Sequence, residues 1–82
     1  MKLQPIRKDL QEYLLVRGLL KKWEKASRLF EENPRHPSLN TELMNLSWRG
    51  MYSFRIDRKY RALFFITKGT VEVFQITNHY KR

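Results

Sequence analysis

The chain has 82 residues, a length that predicts one small domain, which buries only about 60–65% of the surface that its unfolded chain exposes. Seventeen Lys and Arg residues outnumber eight Asp and Glu residues, and the net charge of +9 favours a nucleic acid or an acidic protein as partner. The absence of cysteine excludes disulfides and thiolate metal sites, and no apolar run is long enough to span a membrane, so we expect a cytoplasmic protein with no membrane partner.

Two helices are predicted in the first half of the chain. Apolar residues recur every three to four positions between Leu10 and Phe30, with Lys and Glu between them. Arg17-Gly18 interrupts this pattern, and a glycine after a basic residue is typical of a helix end. The helices should therefore span roughly residues 8–17 and 19–32.

The segments on either side of the helices contain prolines. Residues 2–6 favour a short first strand, in which Pro5 requires an edge or a bulge. Residues 33–47 predict a connecting loop, because Pro34 interrupts regular structure near its start. Within that loop, Glu42–Leu46 favours a turn of helix.

Three strands are predicted after the loop, at roughly residues 50–57, 60–67 and 70–77, because these runs are rich in aromatic and β-branched residues. Lys68-Gly69 predicts a two-residue hairpin between the last two strands. For the first hairpin, a three-residue loop at 57–59 pairs Ile56 with Tyr60. That register is preferred because it keeps the apolar residues on one face of the sheet.

The predicted sheet has one apolar face and one mixed face. The apolar face contains Tyr52, Phe54, Ile56, Tyr60, Ala62, Phe64, Ile66, Val71 and Val73. The mixed face carries Arg55, Arg61, Leu63, Phe65, Phe74 and Ile76, and the same alternation puts Tyr80 on this face and His79 on the opposite one. A mixed face on a small sheet predicts a docking surface, unless residues 1–7 or the 33–47 loop cover it.

The residues that could perform chemistry are few. With two histidines, no cysteine and no recognisable ligand spacing, we expect neither a metal site nor a cofactor. What remains is a set of polar residues: Arg55, Arg61, His79, Tyr80, Lys81 and Glu42. Metal-free RNA cleavage needs a base for the 2′-hydroxyl, cations for the phosphate and an acid for the departing 5′-oxygen. The alternative, that these are ordinary solvated surface residues, remains open at this point.

The runs "HPSLNTELMN" and "YSFRIDRKYRALFFITKGTVEVFQITNHYKR" resemble the RelE/ParE toxin superfamily of bacterial toxin–antitoxin pairs. The order of a short strand, a helical pair, Asn-Pro, a loop and three strands resembles it too, over essentially the whole chain. The terminal His79-Tyr80 is most similar to the YoeB branch. The resemblance implies one RelE-like toxin domain over residues 1–82, an α+β fold with two N-terminal helices packed on a small curved antiparallel sheet.

The same resemblance implies a function and partners. The implied function is that of a type II toxin, a ribosome-dependent, metal-independent mRNA endonuclease that inhibits translation. The implied partners are a cognate antitoxin and the ribosome with its mRNA. The alternative is a member of the superfamily that is not a nuclease, either a ParE-like inhibitor of DNA gyrase or a degenerate toxin that only binds its antitoxin.

The resemblance also implies roles for particular residues. Arg61 corresponds to the arginine that stabilises the scissile phosphate, and His79 and Tyr80 to the terminal pair that transfers protons and binds substrate. Glu42 corresponds to the general base of the YoeB branch. The expected substrate-binding cations are Arg55, Arg58, Lys59 and Lys81.

Overall fold

The computed structural model describes residues 1–45 and 50–78. Its elements, in chain order, are β1 (Lys2–Leu3), α1 (Lys8–Val16), α2 (Leu20–Glu32), a 3-10 turn (Pro37–Leu39), β2 (Glu42–Asn45), β3 (Met51–Arg55), β4 (Arg61–Thr67) and β5 (Thr70–Thr77). The strands form one sheet in the order β1-β5-β4-β3-β2, in which only β1 and β5 pair in parallel. The predicted α+β class is confirmed. No helix in the described parts of the chain is long and apolar enough to cross a bilayer.

The helical pair forms where the apolar periodicity predicts it. Gly18 ends α1 with φ at +68°, a conformation that glycine adopts without a steric penalty. The chain then turns at once into α2, and Leu14, Ala26 and Phe30 point into the core. Helix α2 ends at Glu32, with Asn33 as its C-cap just before Pro34, in agreement with the prediction.

The core lies between the helices and the predicted apolar face of the sheet. Phe30 is central, with ring centroids 4.7 Å from Phe54 and 5.1 Å from Phe64, and it is almost fully buried with both of them. Trp23 stacks on Phe54 at 5.9 Å but remains half-buried. Burial of one such large apolar side chain contributes about 1.5–3 kcal/mol. This aromatic cluster therefore packs α2 against the sheet.

Both hairpin predictions are confirmed. Phe54 pairs with Ala62 and Arg55 with Arg61, which is the register that a loop at 57–59 produces. The amide of Ile56 donates to the carbonyl oxygen of Tyr60 at 2.9 Å. At the other end of β4, Lys68 and Gly69 both have positive φ angles, 50° and 81°, as a two-residue type I′ turn requires.

The predicted turn of helix at Glu42–Leu46 is wrong, because Glu42–Asn45 forms the edge strand β2. Glu42 pairs with Ser53 and Leu43 with Tyr52, and a bulge lies between Leu43 and Asn45. The run contains Glu, Leu and Met, which are strong helix formers. Pairing with the free edge of β3 outweighs this weak local preference, as tertiary context often does.

A second correction concerns β5. Leu63 pairs with Gln75 but Phe64 pairs with Val73, so Phe74 is an extra residue that forms a β-bulge. The bulge reverses the alternation, and Ile76, predicted on the mixed face, is buried in the core opposite Ala62. The predicted orientations of His79 and Tyr80 assumed an uninterrupted alternation, and both residues lie outside the described part of the chain.

Candidate functional site

Arg61, the first residue of β4, lies on the sheet face opposite the helices and is only 6% exposed. Its Nε donates a hydrogen bond to the Ser53 hydroxyl at 2.9 Å, and its Nη2 donates to the carbonyl oxygen of Asn40 at 2.6 Å. A longer bond, 3.4 Å, joins Nη2 to the Ser53 carbonyl oxygen. These bonds compensate for the removal of a cation from water and fix the plane of the guanidinium group.

The two partners of Arg61 are themselves held in place. Ser53 is fully buried in β3, and its hydroxyl donates to the sulfur of Met44 at 3.4 Å while it accepts from Arg61. Asn40 has a φ of 44°, in the left-handed region that asparagine tolerates better than most residues. That conformation ends the 3-10 turn and leaves the Asn40 carbonyl oxygen as the acceptor for Arg61.

Arg61 borders a polar cavity of about 360 Å³ at the end of the sheet where β2, the β3–β4 turn and the end of β5 meet. Its lining consists of Asn40, Glu42, Arg55, Asp57, Arg58, Lys59, Arg61 and Asn78. Four cations and two carboxylates therefore surround a small space, and the excess positive charge suits an anionic ligand. Arginine is well adapted to a phosphate because its planar group binds two oxygens at once.

Glu42 enters this cavity from β2. It is half-buried and pairs with Ser53, the residue that holds Arg61. One carboxylate oxygen of Glu42 accepts a hydrogen bond from the Asn40 side-chain amide at 3.1 Å. The cavity thus contains a carboxylate near a fixed arginine, an arrangement able to combine proton transfer with stabilisation of negative charge.

The second carboxylate, Asp57, belongs to the β3–β4 turn. It accepts hydrogen bonds from the backbone amides of Lys59 and Tyr60, both at 2.8 Å, and from the Lys22 ammonium group at 3.3 Å. Burial raises the pKa of the Asp57 carboxyl, but the hydrogen bonds from Tyr60, Lys59 and Lys22 outweigh burial, and the pKa lies below its ordinary value. The ionised carboxylate of Asp57 therefore stabilises the β3–β4 turn.

The cavity brings together most of the site residues expected from the sequence: Glu42, Arg55, Arg58, Lys59 and Arg61. The expected residues His79, Tyr80 and Lys81 lie outside the described part of the chain. Sequence reasoning missed the support that Ser53 and Asn40 give to Arg61. A small polar residue between aromatic neighbours in a strand, as in Tyr52-Ser53-Phe54, is the pattern by which Ser53 could have been found.

The mixed face continues away from the cavity as an apolar patch. Phe65 and Phe74 stack with centroids 4.4 Å apart, and both are half-buried, as is Leu63. Ile76, expected in this patch, belongs to the core instead. The guanidinium group of Arg7 donates to the carbonyl oxygen of Phe74 at 3.1 Å, so the segment between β1 and α1 contacts the edge of β5.

Comparison with known proteins adds the fold class. The sequence matches no protein-family model and no curated protein sequence. Solved structures do match: a YoeB/ParE toxin from Agrobacterium tumefaciens is 22% identical with a TM-score of 0.72, covering 98% of this chain and 100% of that one. The YoeB-YefM toxin–antitoxin complex from Staphylococcus aureus matches at 17% identity and a TM-score of 0.67, covering 96% and 94%. YafQ from E. coli strain BL21(DE3) matches at 11% identity and a TM-score of 0.72, covering 95% and 90%.

These matches extend over nearly the full length of each chain, so the likeness applies to the whole fold. The chain has the fold of the RelE/ParE toxins. Within that class its fold is YoeB-like, as the resemblance of the sequence implies.

Proposed function

We propose that this protein is the toxin of a type II toxin–antitoxin pair and cleaves mRNA on the ribosome without a metal ion. The observation that carries the proposal is the polar cavity, where the buried and hydrogen-bonded Arg61 borders the same space as Glu42 and Arg55. An arginine that served only for solubility would be exposed to water. Arg61 is instead buried, and its guanidinium group is oriented by hydrogen bonds to Ser53 and Asn40. The YoeB-like fold is consistent with this function.

In the proposed reaction, Glu42 removes the proton from the ribose 2′-hydroxyl, whose oxygen then attacks the adjacent phosphorus. Arg61 stabilises the negative charge that develops on the phosphate oxygens, and its fixed orientation means that little side-chain freedom is lost in the transition state. Arg55, Arg58 and Lys59 hold the neighbouring phosphates.

The departing 5′-oxygen needs a proton. We assign this acid to the terminal pair, His79 and Tyr80, because imidazole transfers protons near neutral pH and a phenol can donate its hydroxyl or stack on a base. Lys81 is assigned to the phosphate backbone. The described residue Asn78 lines the cavity directly before this pair in the chain.

The proposal includes partners. A cognate antitoxin covers the apolar patch formed by Leu63, Phe65 and Phe74, since half-buried aromatic residues on a small sheet are suited to a partner segment. The second partner is the ribosome with its mRNA, for which the charge of +9 is suited. Both partners imply action in the cytoplasm.

The test is induced expression followed by mapping of mRNA 5′ ends. We expect new ends within coding regions for the wild type, and a roughly 100-fold to 1000-fold loss of cleavage for Arg61→Ala, the usual effect of removing one donor to an oxyanion. Glu42→Gln should also abolish most cleavage, because an amide cannot accept the proton. Arg28→Ala and Glu32→Gln are matched controls, since both residues are exposed on α2 or at its end.

Two results would contradict the proposal. Unchanged cleavage in Arg61→Ala and Glu42→Gln would refute the site, provided that circular dichroism shows the variants folded. Toxicity without new 5′ ends, together with inhibition of gyrase supercoiling, would favour the ParE-like alternative. Deletion of residues 79–82 separates the two readings, because only the nuclease requires the terminal pair.

A further inference from the structure

A second groove, of about 300 Å³, lies between α2 and the β3–β4 turn. It is adjacent to the polar cavity, since both are lined by Arg55, Asp57 and Arg58. The two exposed arginines therefore border both spaces. We call this second space the α2 groove, and the three shared residues form its boundary with the polar cavity.

The rim of the α2 groove is cationic. Lys22 and Lys25 stand three residues apart on α2, so they lie on the same face of the helix. Opposite them stand Arg55 and Arg58 from β3 and its turn. Ser38 adds a hydroxyl at one end of the groove. Four positive side chains around one groove favour an anionic ligand.

Among the described residues that line the α2 groove, Asp57 is the one carboxylate. Its carboxylate already accepts from two backbone amides, those of Lys59 and Tyr60, and from the Lys22 ammonium group. One carboxylate cannot neutralise four cations, and this one is oriented by the turn. The groove therefore retains a positive potential that the fold itself does not use.

The floor of the α2 groove is apolar and consists of Ala26, Leu29, Leu39 and Ile56. A basic rim over an apolar floor is the combination by which proteins hold single-stranded nucleic acid, with phosphates on the cations and a sugar or base against the apolar surface. RNA is favoured over an acidic peptide because the α2 groove shares Arg55 and Arg58 with the cavity that is proposed to bind a phosphate.

We propose that the α2 groove binds the nucleotide and phosphate of single-stranded RNA next to the one held in the polar cavity. Arg55 and Arg58 contact the phosphate shared by both spaces, and Lys22 and Lys25 contact the next. This proposal rests on the proposed function of the polar cavity and extends the RNA path from the end of the sheet onto α2.

The test measures binding to a 12-nucleotide RNA with 2′-O-methyl riboses, which cannot be cleaved, by fluorescence anisotropy over a range of salt concentrations. The variant is Lys22→Ala with Lys25→Ala. Its matched control is Lys21→Ala with Arg28→Ala, which removes the same charge from exposed positions of α2 that do not line the groove. Log affinity falls with log salt, and we expect this dependence to be less steep by about 1.4 in the groove variant. The corresponding loss of RNA affinity is roughly 25-fold at 0.1 M salt.

Because Lys22→Ala also breaks the ion pair with Asp57, a second comparison uses Lys25→Ala against Lys21→Ala, both of which leave that pair in place. We expect Lys25→Ala alone to make the salt dependence of log affinity less steep by about 0.7. Equal losses in the groove variants and their controls would show that only net charge matters, and would overturn the proposal.

A poly-glutamate peptide serves as the second probe. Loss of peptide binding with unchanged RNA binding would overturn the proposal in favour of an acidic protein partner. A different outcome would refute the proposed function alone: the wild type would bind the RNA in the groove but would produce no new mRNA 5′ ends in cells. Absence of any RNA binding by the wild type would overturn the groove proposal.

Discussion

The two faces of the sheet differ in how they hold their large side chains. On the face that the helices cover, Phe54 and Phe64 are no more than 1% exposed and pack against Phe30. On the other face, Arg61 is nearly as well buried, but hydrogen bonds to Ser53 and Asn40 surround it in place of apolar packing. The first face is built for stability, whereas the second fixes the direction of a charge.

The energetic terms differ accordingly. Apolar packing is non-directional, so the helix-covered face gains stability in proportion to the area that it buries. A buried guanidinium group gains little net stability, since its hydrogen bonds mainly replace those lost to water. Leaving a buried guanidinium group without hydrogen-bond partners is strongly destabilising, and its orientation is therefore well defined. The comparison therefore predicts that the two faces respond differently to mutation.

The largest expected effect is on the helix-covered face. Phe64→Ala should lower the free energy of unfolding by about 3–5 kcal/mol, because it removes a buried ring and leaves a cavity. Phe74→Ala is the matched variant on the other face and should cost less than half as much, since Phe74 is half-buried. Urea denaturation measures both, and equal losses would break the distinction between the faces.

The next largest loss of stability is expected at the β3–β4 turn. Asp57→Ala should cost about 1.5–3 kcal/mol, because it removes the acceptor for the amides of Lys59 and Tyr60. The pKa of Asp57 is lowered in the folded protein, so its contribution is present above about pH 4 and is lost as the pH falls through the lower, folded pKa.

The pH dependence is checked with Asp57→Asn, compared with the wild type by urea denaturation at several pH values. The stability difference between them should shrink as the pH falls below about 4. Asp9→Asn is the control: the hydrogen bond and charge of Arg7 also lower the pKa of Asp9, but this carboxyl is largely exposed, so solvent screening should keep its stability difference small at every pH. A constant difference for Asp57→Asn would show that its ionised form does not stabilise the turn.

A smaller loss of stability with a large loss of activity would sharpen the comparison. Ser53→Ala should cost about 1–2 kcal/mol, because it leaves the Nε of Arg61 without its hydroxyl partner. If Ser53 positions Arg61, cleavage should fall by about tenfold or more while RNA affinity is retained. Ser27→Ala, on α2, is the control, and activity equal to that of the control would remove Ser53 from the site.

The smallest effect on activity is expected at the other hairpin turn, which lies at the opposite end of β4 from Arg61. Gly69 has a φ of 81°, and a side chain added there would meet no atom within 4 Å. Gly69→Ala should therefore cost only about 1–2 kcal/mol of backbone strain and leave cleavage unchanged. Thermal denaturation and 5′-end mapping test this, and loss of cleavage in a folded variant would contradict the separation of the site from the rest of the mixed face.

Much of the fold follows from the sequence because local patterns and burial agree. The helical periodicity is interrupted at Gly18, whose positive φ of 68° ends α1. The β3–β4 register follows from keeping Phe54 and Phe64 on one face, since a slip by one residue would expose both. The same hairpin carries Arg55 and Arg61, so their pairing in the site was predictable too.

What the sequence by itself determined is thus the helical pair, the two hairpins and the basic side chains that the second face carries. Tertiary structure alone decided that Glu42 belongs to an edge strand, because the free edge of β3 offers backbone partners that a local pattern does not reveal. It also decided the bulge at Phe74, since the burial of Ile76 opposite Ala62 offsets the local disruption of the strand pairing. These two long-range contacts place the carboxylate beside the arginine and set the direction in which β5 reaches the cavity.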